Sequence, residues 1–167
     1  MPPSSKPEMS AAQLERLRQS GLRIDAEGRF WHEGALVEHE GTRRAFSRWL
    51  DRLAEPDGRY ILRLDETRYA YVDVDDTPLV VRTLRWIEPD PRPLLSLSDG
   101  TEERLDPASL TFDDGGVLRT WVRAGRLEAR LSTAATSALA AVIDMHGDEP
   151  VLRLPGQARH PLRRRQR

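Results

Sequence analysis

Three aspartates, Asp73, Asp75 and Asp76, fall within four consecutive positions. Clustered carboxylates are what a hard divalent cation, or a water held for attack, requires. If the segment is a strand, Asp73 and Asp75 share one face, about 7 Å apart. The run closes as Asp75-Asp76-Thr77-Pro78, which is also ordinary turn chemistry, because an Asp side chain accepts from nearby backbone amides. It is not an EF-hand loop, which spreads its ligands further and ends in a distal Glu. His32-Glu33 and Glu38-His39-Glu40 bracket a short loop and supply imidazole and carboxylate. They lack the helical two-histidine spacing of a zinc protease, and a solvated hairpin end is the simpler account of them. Metal-assisted hydrolysis by Asp73, Asp75 or Asp76 with His32 or His39 is one reaction this set can support.

Tryptophans offer a different chemistry. Trp31, Trp86 and Trp121 lie among polar neighbours on predicted strands, where aromatic side chains can wall a groove for a small molecule or a partner segment. Ordinary core packing is the alternative. Trp49 recurs with Ala45, Phe46, Leu50 and Leu53 at helical spacing and is expected in the core. His146 is expected at a helix end, where it interacts favourably with the dipole, and His160 falls in the tail. No G-x-S-x-G elbow, phosphate loop or dinucleotide fingerprint is present. The chain has no cysteine, which excludes disulfides and thiolate metal sites. No cofactor is implied.

Charge is abundant and nearly balanced, at −1 net over 167 residues. Without the five arginines from Arg159 onward the net charge falls from −1 to −6. An acidic body with a short basic end does not resemble a nucleic-acid-binding face. Phosphate contact is expected only through Arg163, Arg164, Arg165 and Arg167, on a terminus expected to fray. Apolar runs such as Leu79-Val80-Val81 are far too short to span a membrane. The MPPSSKPEMS start carries no apolar signal-peptide core, so a cytoplasmic location is expected.

These residues need elements to hold them. Residues 1–10 read as a disordered tail, followed by a short helix to Gln19 with Leu14 and Leu17 on one face. Leu22-Arg23-Ile24, a turn ending at Gly28, and Arg29 to Glu33 read as a hairpin. Thr42 is a plausible N-cap for a helix through Leu53, closed by Pro56-Asp57-Gly58. Strands are predicted over 59–64, 68–74 and 79–87. The alternating prolines of 89–93 suggest an extended connector. Beyond it come hairpins around Asp99-Gly100 and Ala124-Gly125. A helix capped by Ser132 or Thr133 follows, with Leu139, Val142 and Ile143 as its stripe, and then a strand over 151–154.

Both halves read strand, strand, helix, strand. The expected fold is α+β: two tandem ββαβ-like modules, mostly antiparallel, with one main helix each. The expected division is a tail at 1–10, modules at 11–88 and 94–155 about the connector 89–93, and a basic tail at 156–167. The order Ile24-Asp25, Gly28, Phe30-Trp31, Glu33-Gly34, the Phe46 to Leu53 helix, Tyr60-Ile61-Leu62, Tyr71 through Pro78, and Gly125 through Leu131 resembles the bacterial family known as domain of unknown function 1285. That resemblance implies two similar α+β repeats and a role in signalling or regulation. It also implies an aromatic final strand with glycine, whereas Val151 to Leu154 here has no aromatic residue. The functional expectation is a non-catalytic binding or regulatory protein, recognising a small molecule or a protein in the cleft between the two modules. The alternative is a metal-assisted hydrolase at the turn near Asp75.

Overall fold

The computed structural model describes residues 10–165. Their elements are α1 (Ala11–Arg18), β1 (Gln19–Ile24), β2 (Phe30–His32), β3 (Ala35–Leu36), α2 (Glu40–Trp49), β4 (Leu50–Arg52), β5 (Tyr60–Arg63) and β6 (Tyr69–Val74). Then follow β7 (Leu79–Ile87), β8 (Asp90–Leu97), β9 (Glu102–Arg104), a 3₁₀ turn (Pro107–Ser109), β10 (Thr111–Phe112), β11 (Leu118–Val122) and β12 (Leu127–Leu131). The chain ends through α3 (Thr133–Ala140), β13 (Ile143–His146), β14 (Glu149–Leu152), β15 (His160–Pro161) and β16 (Arg163–Arg164). The fold is α+β and dominated by strands. The chain forms two compact units, the first from residues 10–23 and 30–73, the second from 24–29 and 74–165.

In the first unit the six strands run in the order β3-β2-β1-β6-β5-β4. The hairpin β4–β5 is antiparallel, Leu50 facing Leu62 and Arg52 facing Tyr60, and β6 continues it with Ile61 opposite Tyr71. Leu50, Ile61, Leu62 and Val72 are buried. Helix α1 opens on a capping box, Ser10 Oγ accepting from Gln13 N–H while Gln13 Oε1 accepts from Ser10 N–H. The Leu14 and Leu17 side chains, on which its predicted apolar face rests, lie outside the described residues, as do residues 1–9.

Helix α2 corrects three expectations. It starts before Thr42, with His39 as N-cap, its Nδ1 accepting from Thr42 N–H at 3.2 Å. It stops at Trp49, because Leu50 turns extended and is drawn into the sheet. Trp49 is not core: it is 36% exposed, and the helix buries none of its residues fully. Phe46 meets Phe30 edge-on at 5.4 Å, and that contact takes the place of a fully buried stripe.

The second unit carries a seven-stranded sheet, β16-β10-β11-β12-β7-β8-β9, and a three-stranded one, β13-β14-β15. The sheets are mixed, where mostly antiparallel pairing was predicted. β12 runs parallel to β7, Ala129 facing Leu79 and Leu131 facing Val81, and β16 runs parallel to β10. Hairpin logic joins only neighbours in sequence, so a pair some fifty residues apart escapes it. Thr77, wholly buried, fixes this junction: its Oγ1 donates to Leu79 O at 2.7 Å and accepts from Arg130 N–H at 3.2 Å. The turn of residues 25–28 belongs to this unit. Gly28 has φ +80°, and a Cβ there would lie 2.9 Å from Ser98 Oγ, so only glycine fits. Arg130 Nε holds the same turn by donating to Ala26 O at 2.8 Å.

The proline run is no connector. Asp90 to Leu97 is a strand, paired antiparallel with β7 from Ile87–Asp90 to Val81–Leu97, and the Glu88-Pro89 bond is cis. The prolines fall where no ladder N–H is needed. Val142 and Ile143 do not extend α3, which ends at Ala140 and buries Ala135 and Leu139. Gly147 and Asp148 turn the β13–β14 hairpin, with His146 facing Glu149. Nor does the basic end fray over its described part. Leu162 is buried, its N–H donates to Pro150 O at 2.8 Å, and Arg163 and Arg164 form β16. Gln166 and Arg167 lie outside the described residues.

Candidate functional site

The three-stranded sheet of the second unit carries a cavity. In β13–β14, Ile143 faces Leu152 and Asp144 faces Val151, and Arg153 N–H donates to Val142 O at 2.7 Å, closing the hairpin base. The chain then turns at Leu154-Pro155-Gly156-Gln157, with Gln157 N–H donating to Leu154 O at 3.1 Å and Gly156 at φ +67°. Proline followed by a glycine of positive φ is the sequence a type II turn selects. The turn leads past Arg159 to β15, where His160 faces Leu152. Between the end of α3, the hairpin and this turn lies a cavity of about 510 Å³, within the roughly 300–1,000 Å³ range of small-molecule sites.

Its walls are of two kinds. Ala141, Val142, Leu154 and Pro155 supply apolar surface, and Asp144, Arg153, Gln157 and Arg159 supply polar groups. Arg153 pairs with Asp144 across the hairpin, with both side chains about half exposed, so the pair is solvated and worth about 0–1 kcal/mol. Arg159 is exposed and has no ion pair or hydrogen bond among the described residues. The chemistry available is one open guanidinium, one guanidinium shared with a carboxylate, and an amide, with some apolar surface beside them.

A second polar cluster in this unit is closed on itself. Arg119 faces Arg130 across β11–β12, a like-charge pairing that opposes the sheet unless an anion intervenes. Asp76 is that anion, with Oδ1 2.6 Å from Arg119 Nη1 and Oδ2 3.5 Å from Arg130 Nε. Nη1 is buried and makes no aligned hydrogen bond, so this contact is an ion pair without good donor geometry. Arg119 Nη2 donates to Asp113 at 2.9 Å. Burial would raise the Asp113 carboxyl, but Arg119 and the N–H groups of Val117 and Gly115 hold it below its ordinary 3.8. Burial likewise opposes the charge on Arg119, and Asp76 and Asp113 outweigh it, raising its pKa. Arg165 reaches Glu128, which is buried, at 2.8 Å, and Arg164 pairs with Asp114. Two arginines of the basic end are therefore engaged within the unit.

The first unit has its own polar cluster. Tyr71 Oη accepts from Arg59 Nη2 at 2.9 Å and donates to Glu15 Oε2 at 3.1 Å. Burial first, and Glu15 second, push its phenol pKa up. Arg59 also lies 3.8 Å from the ring centroid, and Arg18 lies 4.1 Å from that of Tyr69. Stacked guanidiniums on both tyrosines make this an internally satisfied brace for α1 against β6.

The sequence-predicted residues fall elsewhere. Asp73 is exposed at the end of the first unit's chain, Asp75 is exposed, and Asp76 is committed to Arg119 and Arg130. Among the described residues no three His, Asp or Glu side chains are grouped as a metal ion needs. His32 is exposed on β2 and His39 caps α2. His146 ends strand β13 instead of a helix, and His160 is in β15 instead of a tail. Trp31 is half-buried beneath Arg23, 5.6 Å away. Trp121 is half-buried opposite Glu128, and Trp86 is 40% exposed. Glu128 precedes Ala129, which is level with Leu79, and Trp86 lies seven residues beyond Leu79 on β7. That separation is on the order of 20 Å, so Trp86 and Trp121 do not share one wall. Sequence reading missed Asp144, Arg153, Gln157 and Arg159. The usable signal was a Pro-Gly turn flanked by two arginines.

Neither a family model nor a curated protein matches the chain. Two solved structures do. A DUF1285 family protein from Silicibacter pomeroyi DSS-3 superposes with a TM-score of 0.67 at 20% identity, covering 86% of this chain and 80% of that one. One from Shewanella baltica OS155 gives 0.61 at 20% identity, covering 73% of this chain and 91% of that one. At this identity the likeness is one of fold, and on that ground the chain is structurally similar to proteins of the DUF1285 family.

Proposed function

We propose that the protein is a non-catalytic binding module that takes a small molecule in the cavity between the end of α3, the β13–β14 hairpin and the Pro155-Gly156 turn. The observation that carries this reading is the cavity itself: about 510 Å³, lined by Ala141, Val142, Leu154 and Pro155 together with Asp144, Arg153, Gln157 and Arg159. A concavity of this size with several convergent polar groups is one form a ligand site takes. Binding without turnover is also what a regulatory role requires, and a role in signalling is the one the family resemblance implies.

Hydrolysis at a metal bound by Asp73, Asp75 and Asp76 is the weaker reading, because a cation there competes with Arg119 and Arg130 for Asp76. A thermal-shift fragment screen on wild type and on Ala141→Trp tests the proposal. Ala141 is exposed and helical at the α3 C-cap, so the added indole enters the cavity without disturbing the core. Saturable hits lost in the variant are expected. Hits of equal strength in both proteins, or no hits, would count decisively against the cavity.

A further inference from the structure

We infer that the ligand is an organic monoanion, a carboxylate carried on a compact apolar body, and that Arg159 is its principal anchor. This rests on the cavity reading above and specifies its chemistry. The lining contains two guanidiniums, Arg153 and Arg159, against one carboxylate, Asp144. Its formal charge is therefore one positive, within a chain whose net charge is −1. Arg153 is partly neutralised by Asp144, whereas Arg159 has no partner among the described residues. A guanidinium presents parallel N–H groups that match a carboxylate in bidentate fashion, which a lysine cannot.

Three other features fit the same ligand. Gln157 places an amide beside the two arginines, able to donate to a carboxylate oxygen. Val142 and Pro155 in the lining offer the apolar body its contacts. Asp144 and Arg153 are 50% and 56% exposed, so an incoming carboxylate meets a solvated pair whose opening costs little. Asp144 then acts as the competing anion. Its repulsion disfavours ligands of higher negative charge and sets a preference for one charge over two.

The test is a titration of the full-length, isotope-labelled protein with benzoate, benzamide and phenyl phosphate, read by backbone amide shifts at 141–144 and 153–159. Saturable benzoate binding is expected, with benzamide at least about tenfold weaker. Arg159→Gln should weaken benzoate about tenfold and leave benzamide unchanged, and Asp144→Asn should tighten benzoate several-fold. Benzamide binding as well as benzoate would overturn the anion while leaving the cavity reading intact. Phenyl phosphate binding tenfold more tightly than benzoate would overturn the carboxylate assignment. If none of the three probes shifts these amides while screened fragments do, the ligand class alone fails. If the fragments are silent too, the cavity reading fails with it.

Discussion

The two units differ in what the hairpin after their main helix joins. In the first, β1, β2 and β3 are followed by α2 and hairpin β4–β5. In the second, hairpin β11–β12 is followed by α3 and hairpin β13–β14. The second hairpin of the first unit joins the same sheet as β1 and β2, whereas that of the second unit leaves to form a sheet with β15. Burial explains the difference. β4 begins on Leu50, which is buried directly after α2, while β13 is Ile-Asp-Met-His, half-buried once and exposed thereafter. β13 has no fully buried residue, and it pairs locally with β14. The hairpin that follows α3 borders the cavity, with Val142, Asp144 and Arg153 in its lining.

The helices differ in the same sense. α3 buries Ala135 and Leu139 behind a Ser132 cap, while α2 buries none of its residues fully. Ion pairs follow suit: Arg119 is sealed between Asp76 and Asp113, whereas Arg44 and Glu40 on α2 are largely exposed. The largest expected effect on an ion pair is therefore Asp76→Ala. It leaves buried Arg119 with Asp113 as its remaining carboxylate against an opposing Arg130, and should cost about 3 kcal/mol in urea unfolding. Leu139→Ala should cost roughly 2–5 kcal/mol by opening a void under α3. Ser132→Ala, which removes the acceptor for Ala135 N–H at 3.1 Å, should cost about 1 kcal/mol. Glu40→Gln, which breaks only the exposed Arg44 pair, should stay below about 1 kcal/mol. Equal costs for Asp76→Ala and Glu40→Gln would erase the contrast between the units.

Acid sharpens it further. Asp113 has a folded pKa below its ordinary 3.8, so its contribution is fully present above that value and is lost as pH falls through the lowered one. The stability difference between wild type and Asp113→Asn should be constant from neutral pH down to about 5. It should then shrink on further acidification. A difference that grows on acidification would reverse the assigned sign.

Much of the local structure could be read from the sequence because it is governed by local chemistry. Gly28 and Gly100 marked hairpin turns, Ser132 marked a helix start, and the 79–87 run matched β7 to the residue. What escaped depends on distant partners. The β7–β12 pair is parallel and far apart in sequence, so the aspartate turn looked open when Arg119 and Arg130 in fact close on Asp76. The prolines at 89–93 have the composition of a linker, yet they sit at a strand turn and strand start where missing N–H groups cost nothing. The candidate site was the least legible part. Its arginines are ordinary surface residues in a chain rich in arginine, and only the turn at Pro155-Gly156 brings Arg153 and Arg159 to one cavity.

The most direct test of the cavity is a map of backbone amide shifts across the whole chain, recorded with a saturating hit from the fragment screen. The account predicts perturbations concentrated at residues 141–144 and 153–159, with those of 30–73 unmoved. Shifts concentrated in 30–73, or around Asp75 and Asp76, would contradict it and move the functional site elsewhere.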